Sequence, residues 1–238
     1  MNETSAALPM IVAVDGPSGV GKSTVARRVA ALLGLPYLST GVMYRALALK
    51  VLESGTDPED RGAVEDVVNG TDLELVPEGT ILRVLLDGVD PGDRAYTLEV
   101  SQITSRISAY AGVRRRMVEL QRGGALLQGA VLEGRDTGTR VFPETRHKFF
   151  LEAAPEVRAE RRWLQLPVRA QKTVDRADVL REVLDRDLRD STRKESPLTH
   201  DSSYTLIETD DRTADEVVDL IVSTVLSQVD SDEEPPSS

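Results

Sequence analysis

Gly16-Pro17-Ser18-Gly19-Val20-Gly21-Lys22-Ser23 satisfies G-x-x-x-x-G-K-[ST] and follows directly on the apolar run Met10-Ile11-Val12-Ala13-Val14. In that setting the spacing binds the phosphates of a nucleoside triphosphate. The glycines let the backbone bend until successive N–H groups point at one anion, and the start of the next helix adds positive potential. Lys22 brings a charge for the terminal phosphates. Ser23 brings a hydroxyl for the magnesium ion that travels with the nucleotide, and Thr24 a further phosphate contact. Residues 16–24 are therefore the expected cradle for a donor such as ATP with Mg2+.

A second constellation follows the apolar stretch Ala130-Val131-Leu132, which runs into Glu133-Gly134-Arg135-Asp136-Thr137-Gly138. A motor ATPase places an acid at such a strand end to hold magnesium and activate water, and Glu133 stands there. Arg135 beside Asp136 offers different chemistry: a donor for a phosphate or a base nitrogen, next to an acceptor for an exocyclic amine. Neither N-K-x-D nor D-x-x-G occurs in the chain, which takes most of the weight from a guanine-reading switch protein. By spacing alone Asp136 reads equally as a turn aspartate bridged to Arg135, and Arg45 as a surface helix arginine. Nine arginines fall between Arg158 and Arg193, interleaved with acids. That pattern suits either a local site for small anions or a salt-bridged, solvated helix face. His147 and His200 read as structural or solvated.

The elements that must position these groups alternate. Ile11 to Val14 reads as a buried parallel strand, and Val25, Ala26, Val29, Ala30, Leu32 and Leu33 recur at helical spacing until Gly34. Tyr37-Leu38 is a short strand, and Val42 to Leu52 a helix apolar on most sides, ended by Gly55. Between Leu73 and Val89 the texture becomes antiparallel β, with turns at Pro77-Glu78-Gly79 and Asp87-Gly88. Helical periodicity resumes through Leu98, Val100, Ile103 and Ile107, and again from Val113 through Met117 and Leu120. Core strands are predicted at 130–132 and 148–151. Further helices are predicted from Pro155 to Leu166 and over Val179 to Leu188. Tyr204 to Ile207 is a last strand, and Thr213 with Glu216 forms a capping box that opens a final helix. Strands alternating with helices predict an α/β fold with a parallel sheet, the phosphate loop at the carboxyl end of its first strand.

Composition narrows the partners. The chain has 238 residues, 29 Lys plus Arg against 40 Asp plus Glu, and a net charge of −11, which disfavours nucleic-acid polymers. No cysteine is present, so disulfides, thiolate metal sites and cysteine nucleophiles are excluded, in keeping with a reducing cytoplasm. No basic leader and no apolar run long enough for a membrane span are evident, so a cytoplasmic protein without membrane contact is expected. Residues 1–9 read as a loose arm and 230–238 as a disordered acidic tail.

The phosphate loop, Ser39-Thr40-Gly41-Val42-Met43-Tyr44-Arg45, Glu133-Gly134-Arg135-Asp136 and Asp187-Leu188-Arg189-Asp190-Ser191-Thr192-Arg193 together resemble bacterial cytidylate kinase in order and spacing, from Met10 to Leu226. The resemblance implies a P-loop three-layer α/β/α core with a parallel sheet, a helical acceptor-binding lobe carrying a small antiparallel β insert, and a short lid. It implies one nucleoside monophosphate kinase domain over 1–229: core 10–39 and 119–229, acceptor lobe 40–118 with its insert at 72–94, lid 156–172. The implied reaction moves the γ-phosphoryl group of ATP to CMP or dCMP, in a monomer serving pyrimidine nucleotide metabolism. By matched position Thr40, Arg45, Ser105, Arg114, Arg135, Asp136, Asp190 and Arg193 hold the acceptor. Asp136, Ser105 and Arg114 would read the cytosine edge, Arg45, Arg135 and Arg193 clamp its phosphate, and Asp190 takes the ribose hydroxyls. Lys22 with Arg158, Arg162 and Arg186 would stabilise the transferring group. Ser39 and Glu133 depart from the family, which often has Asp at both positions. Another small-metabolite kinase, of shikimate or adenylate type, and a nucleotide-binding regulator without transferase activity are the alternatives.

Overall fold

The computed structural model describes residues 9–166 and 168–233, and strand alternation decides how its layers form. In β1 (Ile11–Asp15) every residue is buried, and neighbouring side chains enter different cores. Val12 and Val14 pack with Val25, Val29 and Ala30 of α1 (Lys22–Leu33). Ile11 belongs to the other core, which also holds Met43, Leu47 and Val51 of α2 (Thr40–Glu53), the helix that follows directly on β2 (Tyr37–Ser39). Each such aliphatic side chain taken fully out of water contributes roughly 1.5–3 kcal/mol.

After α2 come α3 (Arg61–Asn69), the hairpin β3 (Leu73–Glu78) and β4 (Ile81–Leu86), a 3-10 turn at Gly92–Tyr96, α4 (Leu98–Ile107) and α5 (Ala111–Ala125). β5 (Ala130–Glu133) leads into a π-type turn at Thr137–Val141, then β6 (His147–Glu152), α6 (Pro155–Gln165), α7 (Val168–Gln171), α8 (Arg176–Thr192), β7 (Thr205–Glu208) and α9 (Ala214–Glu233). The seven-stranded sheet has the order β3-β4-β2-β5-β1-β6-β7 and is parallel except for the β3–β4 pair. One face carries α1 and α9, the other α2 to α5, so the core is three-layered as expected.

The antiparallel pair is also tied to the main sheet: Tyr37 registers with Ile81 in parallel, making the hairpin an extension of the sheet. The helix α3 has no counterpart among the predicted elements. It is nine residues long, buries only Val64 and Val68, and is started by Asp60, whose carboxylate accepts from the Ala63 N–H at 3.1 Å. Valine-rich and short, it gives a weak helical signal. At the other end the capping box is formed, with Thr213 N donating to Glu216 Oε2 at 2.8 Å and Glu216 N to Thr213 Oγ1 at 3.2 Å. Its helix runs through Glu233, so the first residues of the expected loose tail are helical; residues 234–238, like the arm over 1–8, lie outside the described residues.

Because β5, β1 and β2 are parallel and in register at Val14, Ser39 and Glu133, their carboxyl ends open together. The loops after β1 and β5 and the start of α2 therefore converge on one edge of the sheet, where ligands bind in doubly wound folds.

Candidate active site

The phosphate loop turns at Gly16, whose φ is 144° and where a Cβ would lie 2.3 Å from the Leu151 carbonyl oxygen, so only glycine fits. The loop borders a cleft of about 670 Å³, onto which Ser18, Gly19, Gly21, Lys22, Ser23 and Thr24 face. Val20 does not reach it and is part of the core, while Gly16 and Pro17 contribute carbonyls to Arg135 and Lys22. Lys22 is buried and its Nζ donates to Pro17 O at 2.6 Å. Burial, then the nearby Arg135, pushes its ammonium well below the ordinary lysine value.

Arg45, Arg135, Arg162 and Arg186 border the same cleft. Burial and the charge of Arg135 push Arg186 down to about 10, with Asp190 pulling the other way. Burial disfavours the charge of Lys22, Arg45 and Arg186, and an anion in the cleft would offset that cost.

At its floor, Glu133 Oε1 accepts from Ser39 Oγ at 2.5 Å, Ser23 Oγ at 3.1 Å and Tyr37 OH at 3.5 Å. Thr40 Oγ1 donates to the Glu133 carbonyl at 2.9 Å, which pins the start of α2 to the end of β5.

Behind the cleft lies a buried ionic layer. Asp136 pairs with Arg114 of α5, not with its neighbour Arg135; Arg114 also donates to Ser108 O at 3.0 Å and lies 5.6 Å from the centre of the Tyr44 ring. Arg135 instead donates to Asp190 at 3.0 Å and to Gly16 O at 3.1 Å. Asp190 also faces Arg193 at 3.6 Å and Arg186 at 4.0 Å. Burial raises its pKa, but the three arginines outweigh that and hold it below the usual carboxylate value. Among the described residues, Arg114 Nε and Arg193 Nη2 are buried without a hydrogen-bond partner.

Arg45 is held by Ala95 O at 3.2 Å and Ser101 Oγ at 2.8 Å, its guanidinium 5.2 Å from the Tyr96 ring centre; Tyr96 borders the cleft and had no place in the motif reading. Two predicted residues are placed differently. Ser105 Oγ accepts from Arg189 at 2.8 Å and opens onto a separate groove between α4 and the end of α2. Arg158 does not border the cleft: it grips Asp187 with both Nη atoms at 3.0 and 2.5 Å and donates to Ser18 O and Ala153 O. All three nitrogens of that guanidinium are engaged, so Arg158 braces α6 and α8 against the phosphate loop. Arg162, one turn later, does face the cleft and reaches Ser18 Oγ at 2.9 Å and Glu182 at 2.9 Å.

The model of the cytidylate kinase family matches residues 12–227. The chain is 41% identical over 218 residues to the cytidylate kinase of Caldanaerobacter subterraneus subsp. tengcongensis, covering 92% of this chain and 95% of that one. It is 42% identical over 217 residues to that of Corynebacterium diphtheriae, with 91% and 94% covered. It is also 42% identical over 214 residues to the bifunctional pantoate ligase/cytidylate kinase of a Synechocystis strain, where 89% of this chain spans 42% of the longer protein. Among solved structures, shikimate kinase from Bacteroides thetaiotaomicron aligns with a TM-score of 0.45 at 11% identity, covering 93% of this chain and 98% of that chain, and adds nothing to the fold described above. A phosphate loop, an arginine-lined cleft and a buried Arg-Asp pair, on a chain matched almost end to end, give one assignment: this chain belongs to the cytidylate kinase family.

Proposed function

We propose that the chain transfers the terminal phosphoryl group of ATP to CMP or dCMP, giving ADP and the corresponding diphosphate. The observation that carries this reading is the buried Arg114–Asp136 pair with the unpartnered donors Arg114 Nε and Arg193 Nη2 beside it. Buried donors without acceptors are costly, and a ligand that supplies them removes the penalty.

Cytosine presents an amine at N4 and acceptors at N3 and O2. An aspartate side by side with an arginine offers the complementary order, carboxylate to the amine and guanidinium to N3 or O2. Uracil carries a carbonyl and an N–H where cytosine has the amine and N3, so the same pair would meet acceptor with acceptor and donor with donor.

Arg45, Arg135 and Arg193 would hold the acceptor phosphate, and Lys22, Arg162 and Arg186 the charge of the group in flight. No side-chain nucleophile is needed, because the acceptor phosphate oxygen attacks directly and the protein's task is alignment and charge neutralisation. Among the described residues no cluster of His, Cys, Asp or Glu could hold a metal by itself. The hard oxygens of Ser23 and Glu133 fit a magnesium ion carried in with the nucleotide, which would supply further neutralisation of the donor phosphates. No helix among the described residues is long and apolar enough to cross a membrane.

The test is ADP release from ATP and Mg2+ with CMP, dCMP, UMP, AMP or shikimate offered separately. Stimulation by CMP and dCMP above the others is expected; preference for another acceptor would keep a kinase and discard the base-reading pair.

A further inference from the structure

Asp15 ends the buried strand β1, directly before the first glycine of the phosphate loop, and is fully buried. Four neutral donors surround its carboxylate. Oδ1 accepts from Thr137 N at 3.0 Å and Thr137 Oγ1 at 2.7 Å, and Oδ2 from Gly138 N at 2.9 Å and Tyr204 OH at 2.8 Å.

Those two backbone N–H groups belong to the residues that immediately follow Asp136, where the chain leaves β5 for the π-type turn. Asp136 itself has φ −148° and ψ 25°, outside the helical and extended regions, so local preference alone does not fix its direction. The turn is also closed sterically, since a Cβ on Gly138 would lie 2.5 Å from the Tyr204 hydroxyl oxygen. From the other side, Arg135 donates to Gly16 O at 3.1 Å. Residues 15–16 of the donor loop thus hold residues 135, 137 and 138 of the acceptor turn, and Asp136 is suspended between the two ties.

Burial pushes the Asp15 carboxyl up, against the hydrogen bonds from Gly138 and Thr137. Burial, then the charge of Asp15, also pushes the Tyr204 phenol up, so tyrosine stays neutral and donates.

We infer that Asp15, itself held by Tyr204, is a positioning residue that sets the aim of Asp136 relative to the phosphate loop and so contributes to the choice of acceptor base. This rests on the base-reading role given to Asp136 above. Tyr204 comes from the loop before β7, so a third segment of chain completes the acceptor turn without touching the acceptor.

Tyr204→Phe is the gentle probe, because the ring keeps its edge contact to Phe150 at 6.1 Å and only the hydroxyl is lost. We expect the CMP-to-UMP ratio of kcat/KM to fall about tenfold, the size of one lost hydrogen bond to a charged group. The loss should sit in the acceptor KM, with the ATP KM within about twofold of the parent. Thr137→Val, which removes the Oγ1 donor and keeps the backbone N–H, should act in the same direction. A purely structural role would lower the melting temperature and all substrates together, leaving the ratio in place; that result, or no change in the ratio, would overturn the inference. Asp136→Ala run alongside separates the two levels. If it collapses the ratio while Tyr204→Phe and Thr137→Val do not, base reading stands and the positioning role of Asp15 is wrong. If Asp136→Ala leaves the ratio intact, base reading falls and the inference with it.

Discussion

Ser39 Oγ donates to Glu133 Oε1 at 2.5 Å, and the same oxygen accepts from Ser23 Oγ at 3.1 Å. The two positions at which the sequence departs from the family pattern therefore meet in one hydrogen bond. A short alcohol donates to a longer acid, and that acid reaches the phosphate-loop serine. Removing the charge but not the shape, Glu133→Gln, is expected to raise the half-saturating Mg2+ concentration about tenfold, the effect of losing a partner that orients a metal-bound group. The acceptor KM should hold. Turnover titrated against free Mg2+ at fixed ATP checks this, and an unchanged Mg2+ dependence would leave Glu133 as a fastener between β2 and β5 only.

Lys22 is desolvated and lies among Arg135, Glu133, Arg186 and Asp15, so a phosphate gains from it more than it would from a solvent-exposed lysine. Lys22→Ala is expected to lower turnover by at least about a hundredfold. Lys22→Arg should not restore it, because a planar guanidinium fork does not reproduce the compact ammonium that donates to Pro17 O and borders the cleft. Steady-state kinetics at saturating ATP and CMP give the answer; an alanine variant within a few-fold of the parent would remove the loop from the chemistry.

The Arg114–Asp136 pair makes the prediction about substrate choice directional. In the proposed base-reading role, Asp136→Ala takes away the acceptor for N4 and strands the Arg114 charge, so CMP is expected to lose kcat/KM by about a hundredfold or more. UMP, which gained nothing from the carboxylate, loses less. Equal losses for both acceptors would mean that Asp136 only neutralises Arg114.

How far these relationships could be read from sequence depends on how local they are. The strand, loop and helix around Lys22 were legible because an apolar strand, a glycine turn and helical periodicity all had to agree within a few residues. Asp136 was singled out by its neighbour Arg135, yet its partner is Arg114, 22 residues earlier in another helix, and Arg135 goes to Asp190, 55 residues later. Those choices belong to the packing of α5 and α8 against the sheet, which no spacing records. Asp15 did leave a signal, a charge closing an otherwise apolar strand beside the phosphate loop. Tyr204, 189 residues away, left none. Ser105 shows the converse: matched by position, it is engaged with Arg189 in this structure.

Arg158 and Arg162 stand one helical turn apart in different surroundings, the first tied to Asp187 and the second bordering the cleft. The Arg158 side chain is 4% exposed and its partner Asp187 25%, with both Nη atoms in the pair. Arg158→Ala would leave Asp187 with an unmatched, mostly buried charge, a loss of about 3 kcal/mol, near the low end for such pairs because Asp187 keeps some solvent. For a chain of this size that lowers the melting temperature by roughly 6–12 °C. Arg162 keeps a quarter of its side chain exposed and faces the cleft, so Arg162→Ala should hardly move the melting temperature while lowering kcat about tenfold or more. Thermal unfolding and kcat measured on both variants separate bracing from catalysis. If Arg158→Ala unfolds at the parent temperature and loses turnover instead, the guanidinium leaves Asp187 during the reaction and acts in the cleft after all.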